Sequence, residues 1–443
     1  MFRKLAVCVM LMLALCCAAE AERLLCINAE DVAALVDLSG REIIENGRFE
    51  TIFEVREDRL FAAGGEGAYR LFNAKGEAVS EIEFAMIRDG ENGLVYHKDG
   101  QYGVMSETGR TILEPRWAQL IDNGEGGWLA LEGDPYDERA DEILYINPMR
   151  QVEPTGVYTA CGLNPVSCGR MLFMNEEGLW GAVDPRGKVI VEGEWRYLCP
   201  FNGGVAKALG VGGAGVIDIR GNRVLEPVYG WLEVGPALVA ACDGEGVDLC
   251  RPDDGEVRFR LDVSPEEIAL VGAYVAVTLE DEVRLYDAEG SLLVSAPGGT
   301  VYYPGTRGQL IEVSGAWGDA CQRLINSDGR PASAGFQQIL PLVGDRYAFL
   351  LMTGTAYQSG EMDREDHAWN DRERRFGLMD GSGRVLLPAR CDRIEALNEQ
   401  RLLLIEGGSV SLADRNGRIL KTWPAEKGDG GKAADSRAAE PSD

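Results

Sequence analysis

The chain has 443 residues, 45% hydrophobic and 26% charged, an ordinary globular balance that excludes disorder as its main state. Its formal charge of −28 argues against nucleic acid, whose phosphates need Lys and Arg, and against docking on anionic lipid. At this length one large domain or several are expected.

The first element is a predicted signal peptide over residues 1–21. Arg3 and Lys4 precede an uncharged apolar run from Leu5 to Ala19, and Ala19-Glu20-Ala21 places small residues at −3 and −1 of a cleavage site. The run is shorter than the ~20 residues of a spanning helix. Leu15, ahead of Cys16, departs from the small residue of a lipobox. A secreted, extracytoplasmic protein starting near Glu22 is therefore expected, with no membrane insertion after cleavage. Eight cysteines remain in it, and an exported chain permits disulfides. Cys242 and Cys250 are the candidate disulfide, because they flank the turn sequence Asp243-Gly244-Glu245-Gly246 and cross-strand partners lie near bridging reach.

From there on, one pattern recurs. Trp180-Gly181-Ala182-Val183-Asp184-Pro185-Arg186-Gly187-Lys188-Val189-Ile190-Val191 returns as Tyr102-Gly103-Val104-Met105, as Ala214-Gly215-Val216-Ile217-Asp218 and as Phe376-Gly377-Leu378-Met379-Asp380. The turn glycines Gly40, Gly76, Gly109, Gly187, Gly221, Gly255, Gly290, Gly329, Gly383 and Gly417 are spaced 36, 33, 78, 34, 34, 35, 39, 54 and 34 residues apart. The gap of 78 divides in two if Met149 stands in for a glycine. Two apolar stretches around a polar turn read as paired strands, with Asp bonding its own turn and Gly taking the left-handed position. Glu-Pro after the second stretch is expected to end that ladder, and the aromatic beyond it to open a third strand. A fourth follows, as in Trp128-Leu129-Ala130-Leu131.

The pattern resembles the WG-repeat (WG β-repeat, KWG-type) proteins of bacteria over most of residues 34–424, with the dipeptide itself at Trp180-Gly181. The resemblance implies a repeat scaffold and brings no catalytic residues with it. An all-β array of 10–11 short multi-stranded units is expected, propeller-like, with an open β-solenoid as the alternative. It should fill residues 22–424, with a possible sub-boundary near 134–178, ahead of a disordered tail at 425–443 that is too polar to repay ordering.

Chemistry is sparse. His97 and His367 are the only histidines, one at a strand end and one in a charged insertion. The Asp380 and Asp414 turns resemble calcium loops only superficially, for they are the ordinary turns of the repeat. No catalytic residue, cofactor or metal site is expected. The surplus in the gap of 54 maps to Thr355 through Arg375, where Tyr357, His367 and Trp369 make a candidate partner-binding loop. The expected function is an exported, non-enzymatic scaffold that binds a protein or cell-envelope glycan partner. The alternative is an extracytoplasmic polysaccharide hydrolase or lyase.

Overall fold

A computed structural model describes residues 23–133, 140–314, 321–352 and 374–425, and among these every regular element is a strand. The candidate loop residues Tyr357, His367 and Trp369, and the tail from 426 on, lie outside the described residues.

The local cause of each unit is its turn. Asp184 Oδ1 accepts from the amides of Arg186 (2.9 Å) and Lys188 (3.0 Å), and Gly187, at φ 81°, closes the turn. Asp37, Asp218, Asp287, Asp380 and Asp414 hold their turns through the same two amides. In the long gap Asn147 plays this part, and the left-handed residue three places on is Arg150, at φ 66°, not the expected Met149. The glycine after the aromatic has a different reason. A Cβ on Gly181 would sit 2.5 Å from the Val191 carbonyl oxygen, and on Gly215 2.6 Å from that of Leu225. A bulge in the neighbouring strand brings its backbone that close.

The same bulge corrects the expected strand order. Thr111–Trp117 is one strand with Pro115 inside it, pairing Leu113 with Val104 and Trp117 with Tyr102 across a register shift. The bulge leaves no ladder bond for proline to break, so the strand runs on to the aromatic. The next strand, Gln119–Asp122, starts one residue later, in a new sheet. The hairpin of the repeat is thus the third and fourth strand of each sheet.

Among the described residues there are eleven antiparallel sheets of three or four strands. We number them 1 to 11 in chain order, from 24–44 (sheet 1) through 171–195 (sheet 5), 197–229 (sheet 6), 231–261 (sheet 7) and 267–297 (sheet 8) to 338–391 (sheet 10) and 393–423 (sheet 11). Sheets 2 and 9 complete a fourth strand position by single bridges, such as Tyr69 with Phe84 and Gln322 with Phe336. Both faces of each sheet are apolar, as in Val32–Asp37, where all six residues are buried. Each face packs on the next sheet, and each junction has its own core. An eleventh core joins Leu403, Ile405, Leu412 and Trp423 of sheet 11 to Leu25, Ile27, Ala34 and Val36 of sheet 1. The array closes, and its architecture is a β-propeller. With sheets stacked ~10 Å apart, eleven of them form a ring roughly 35 Å across at mid-sheet.

Candidate functional site

First strands of successive sheets touch each other, Trp231–Val234 with Glu267–Val271 and Glu267–Val271 with Val301–Pro304, so they form the inner rim where radiating sheets converge. The antiparallel order then assigns the turns. Those between second and third strands lie on one face of the ring, and those between third and fourth on the other.

The turns on the two faces differ in charge. Eight described turns between second and third strands carry Glu30, Asp31, Glu66, Asp99, Glu176, Glu177, Asp243, Glu245, Glu280 and Asp281, with no Lys or Arg. The connections of this type in sheets 4 and 10, 132–140 and 353–373, are the longest of their type. Turns between third and fourth strands, on the opposite face, are mixed: they carry Arg41, Arg150, Arg186, Arg220, Arg384 and Arg418 together with Glu107, Asp253, Asp254, Glu256, Glu289 and Asp328. Several of these are neutralised locally, as where Asp37 Oδ2 takes Arg41 Nε at 2.9 Å and Asp380 Oδ2 takes Arg384 Nε at 3.0 Å. Burial pushes both carboxyls up, but hydrogen bonds from Ser39 and Arg41, and from Ser382 and Arg384, outweigh it. The net is downward for both, to about 2 for Asp37.

At the root of the longest connection the acidic face holds a cleft of about 870 Å³, lined by Gln338, Arg374, Arg375, Phe376, Asp392, Arg393 and Glu30. Asp392 organises it. One oxygen pairs with Arg375 and the other accepts from the Gly407 amide at 2.6 Å. Arg393 leans on Glu395 at 2.8 Å. The cleft is therefore a cationic spot in acidic surroundings, able to seat an anionic group. Its arginines were legible only as part of a charged run, because sheets 10, 11 and 1 build it together.

A second cleft, about 840 Å³, opens at the inner rim between sheets 7 and 8, where Trp231, Glu233, Glu266 and Glu267 line it with Pro236 and Pro265. Lys207 Nζ stands 3.5 Å from Glu233 and donates to the Leu232 carbonyl at 2.6 Å.

The remaining sequence candidates separate. Cys242 and Cys250 do not bridge: all eight cysteines among the described residues are free. Register explains it, since Cys242 pairs with Val247 and Cys250 with Val239. Cys242 faces sheet 8 and Cys250 faces sheet 6, on opposite sides of one sheet. Burial pushes the Cys250 thiol up to about 11, with the Asp248 charge adding to it. His97 lies half-buried on a hairpin, its ring 4.6 Å from that of Tyr102.

Residues 180–209 match the family described as "WG containing repeat". Among curated proteins none matches. Of solved structures, a eukaryotic initiation factor is similar at 14% identity and TM-score 0.40, over 64% of this chain and 82% of that one. BamB from Moraxella catarrhalis is similar at 12% identity and TM-score 0.29, over 60% and 92%. A KlHsv2 variant with loop 6CD replaced by a Gly-Ser linker is similar at 9% identity and TM-score 0.31, over 66% and 89%.

Proposed function

From a chain that carries a WG containing repeat within a closed propeller, we propose an exported, non-enzymatic scaffold that binds a protein or cell-envelope glycan through its acidic face. One observation carries the reading: the longest connection between successive strands, 353–373, leaves from that face beside the arginine cleft. Insertions in repeat proteins gather on the face that binds. The turn carboxylates support a scaffold because they are spread round the ring, one or two in each of six of the eight described turns, and an acid pair acting on one bond must converge. The test compares capture from the envelope fraction by the intact chain, by Arg374→Glu, and by a variant with residues 355–375 replaced by a short Gly-Ser turn. Both variants should fold and lose the same partner. Undiminished capture by both would refute the reading.

For the hydrolase or lyase alternative, the cleft lined by Trp231, Glu233, Glu266 and Glu267 is the candidate to test. An aromatic ring beside several carboxyls is a combination that suits a sugar ring. Release of reducing ends or unsaturated sugars from envelope polysaccharide, abolished in Glu267→Gln, would establish it.

A further inference from the structure

Two of the eight described turns on the acidic face carry no charge, and each marks a different spot. The turn of sheet 11 borders the arginine cleft through Gly407. The turn of sheet 6, Gly210-Val211-Gly212-Gly213, presents aliphatic surface instead. It is held against its own sheet. The Gly210 amide donates to the Gly213 carbonyl at 2.9 Å. A Cβ on Gly212 would sit 2.9 Å from the Pro227 carbonyl oxygen, and on Gly213, at φ 143°, 2.6 Å from that of Tyr229. Only glycine lets the turn lie so close to the end of the fourth strand. Val211 is the one side chain of any size in the turn, and it is 86% exposed.

Three more apolar side chains reach solvent at the same end of sheet 6. Tyr197, the first residue of the first strand, pairs with Leu209, the last of the second, and they are 51% and 39% exposed. Tyr197 is braced edge-on against Trp180, with ring centroids 6.1 Å apart. Val228, whose backbone lies against Gly213, is 68% exposed. Single exposed apolar residues are ordinary, but apolar surface gathered within a charged rim marks a place where another protein docks. Here the rim is acidic. The adjoining turns of sheets 5 and 7 carry Glu176, Glu177, Asp243 and Glu245. Arg260 holds Asp243 at 2.8 Å, whereas the three glutamates form no ion pair among the described residues. Arg196, which joins sheets 5 and 6, offsets one of these charges.

We propose that this end of sheet 6 docks a polypeptide segment with an aliphatic anchor flanked by Lys or Arg. The anchor seats among Tyr197, Leu209, Val211 and Val228, and the cations face Glu176, Glu177 and Glu245. Charge selects this occupant. Anionic lipid and anionic glycan are repelled, and so is a second copy of a chain at −28. The turn itself offers a neutral sugar no side-chain hydrogen bond. The inference rests on the acidic face being the one that binds, and it names the chemistry of the partner which that face takes.

The probe is the peptide Lys-Lys-Leu-Val-Leu-Lys-Lys, titrated into the full chain at low and at physiological ionic strength. Val211→Asp and Val228→Asp alter solvent-facing side chains and make the chain more acidic, so adsorption of a cationic peptide by charge alone must strengthen in them. Seating of an anchor must instead weaken, by about tenfold or more. Serine in place of the three aliphatic residues of the peptide should cost as much on the unaltered chain. Replacing Glu176, Glu177 and Glu245 together by Gln should weaken binding at low salt and flatten its salt dependence. Unchanged or tighter binding in both Asp variants would overturn the proposal. So would equal binding of a peptide with Glu for every Lys. A mass that rises with protein concentration, and returns to that of one chain in Val211→Asp, would also overturn it by making a second copy the occupant. Loss of envelope capture in Arg374→Glu, with peptide binding indifferent to Val211→Asp, sinks this inference alone; the reverse pattern sinks the wider reading alone.

Discussion

The junction between sheets 5 and 6 and the junction between sheets 11 and 1 have similar cores but different reinforcement. In the first, Trp195, Leu198, Phe201 and Ala208 interlock, and the chain passes from one sheet to the next through Arg196 alone, whose amide also bonds the Leu209 carbonyl at 2.9 Å. In the second, residues some 360–380 places apart meet with no chain crossing. Glu42 takes Lys421 Nζ at 2.6 Å and Trp423 Nε1 at 2.8 Å, and Arg401 Nε donates to the Leu38 carbonyl at 2.8 Å. Lys421 also lies over the Trp423 ring, 5.0 Å from its centroid. No strand is exchanged between the two sheets among the described residues. In a repeat array stability is roughly a sum of units and nearest-neighbour terms. The closing junction is thus the one that can part without disrupting a unit, and the covalently linked junction parts only when a unit unfolds.

The largest expected effect breaks the linked junction. Trp195 is 4% exposed, and Trp195→Ala should cost about 3–5 kcal/mol, seen as a fall in Tm for the whole ring. Trp423→Ala, at 6% exposure, should instead raise hydrogen exchange in sheets 1 and 11 first while sheets 5 to 7 stay protected. Equal, global loss from both changes would erase the distinction between the junctions.

Next in size is Gly181→Ala, whose new methyl meets the Val191 carbonyl oxygen and the Phe173 ring. About 1–3 kcal/mol of destabilisation is expected by chemical denaturation, since backbone must move. A neutral result would show that the bulge is pliable.

Acid should sharpen the contrast. Burial pushes the Glu42 carboxyl up, but hydrogen bonds from Lys421, Trp423 and the Asn46 amide outweigh it, leaving a net downward shift. A carboxyl lowered in the folded state contributes stability above its unfolded pKa and loses it as pH falls through the folded value. Opening at sheets 1 and 11 should therefore increase below the usual carboxylate range, and Glu42→Gln should remove most of that pH dependence. Exchange within 180–209 reports the control.

The smallest expected effect is a gain. Arg150 holds a left-handed turn conformation that strains a side chain by about 1 kcal/mol, so Arg150→Gly should raise stability by about that much. Gly187→Arg in the neighbouring unit should do the reverse.

Within a unit, much of the fold was legible: Asp184 and Gly187 act on residues two to four places away, and that chemistry is local. The strand order was misread at Glu114-Pro115 because a bulge is a property of two strands, and one strand's sequence does not contain its partner's register. The Cys242–Cys250 pairing failed for the same reason: Cys242 pairs with Val247, three places from Cys250, and an odd offset sends the two side chains to opposite faces.

The sequence by itself determined the repeat, its turns and the apolar strands, because turn geometry and strand alternation are set by neighbours along the chain. Only the tertiary structure decided that eleven sheets close into a ring, and that the longest connection leaves from the acidic face. These depend on cores and contacts between residues far apart in the chain, Glu42 with Lys421 and Arg375 with Asp392 beside Glu30, which no local pattern encodes.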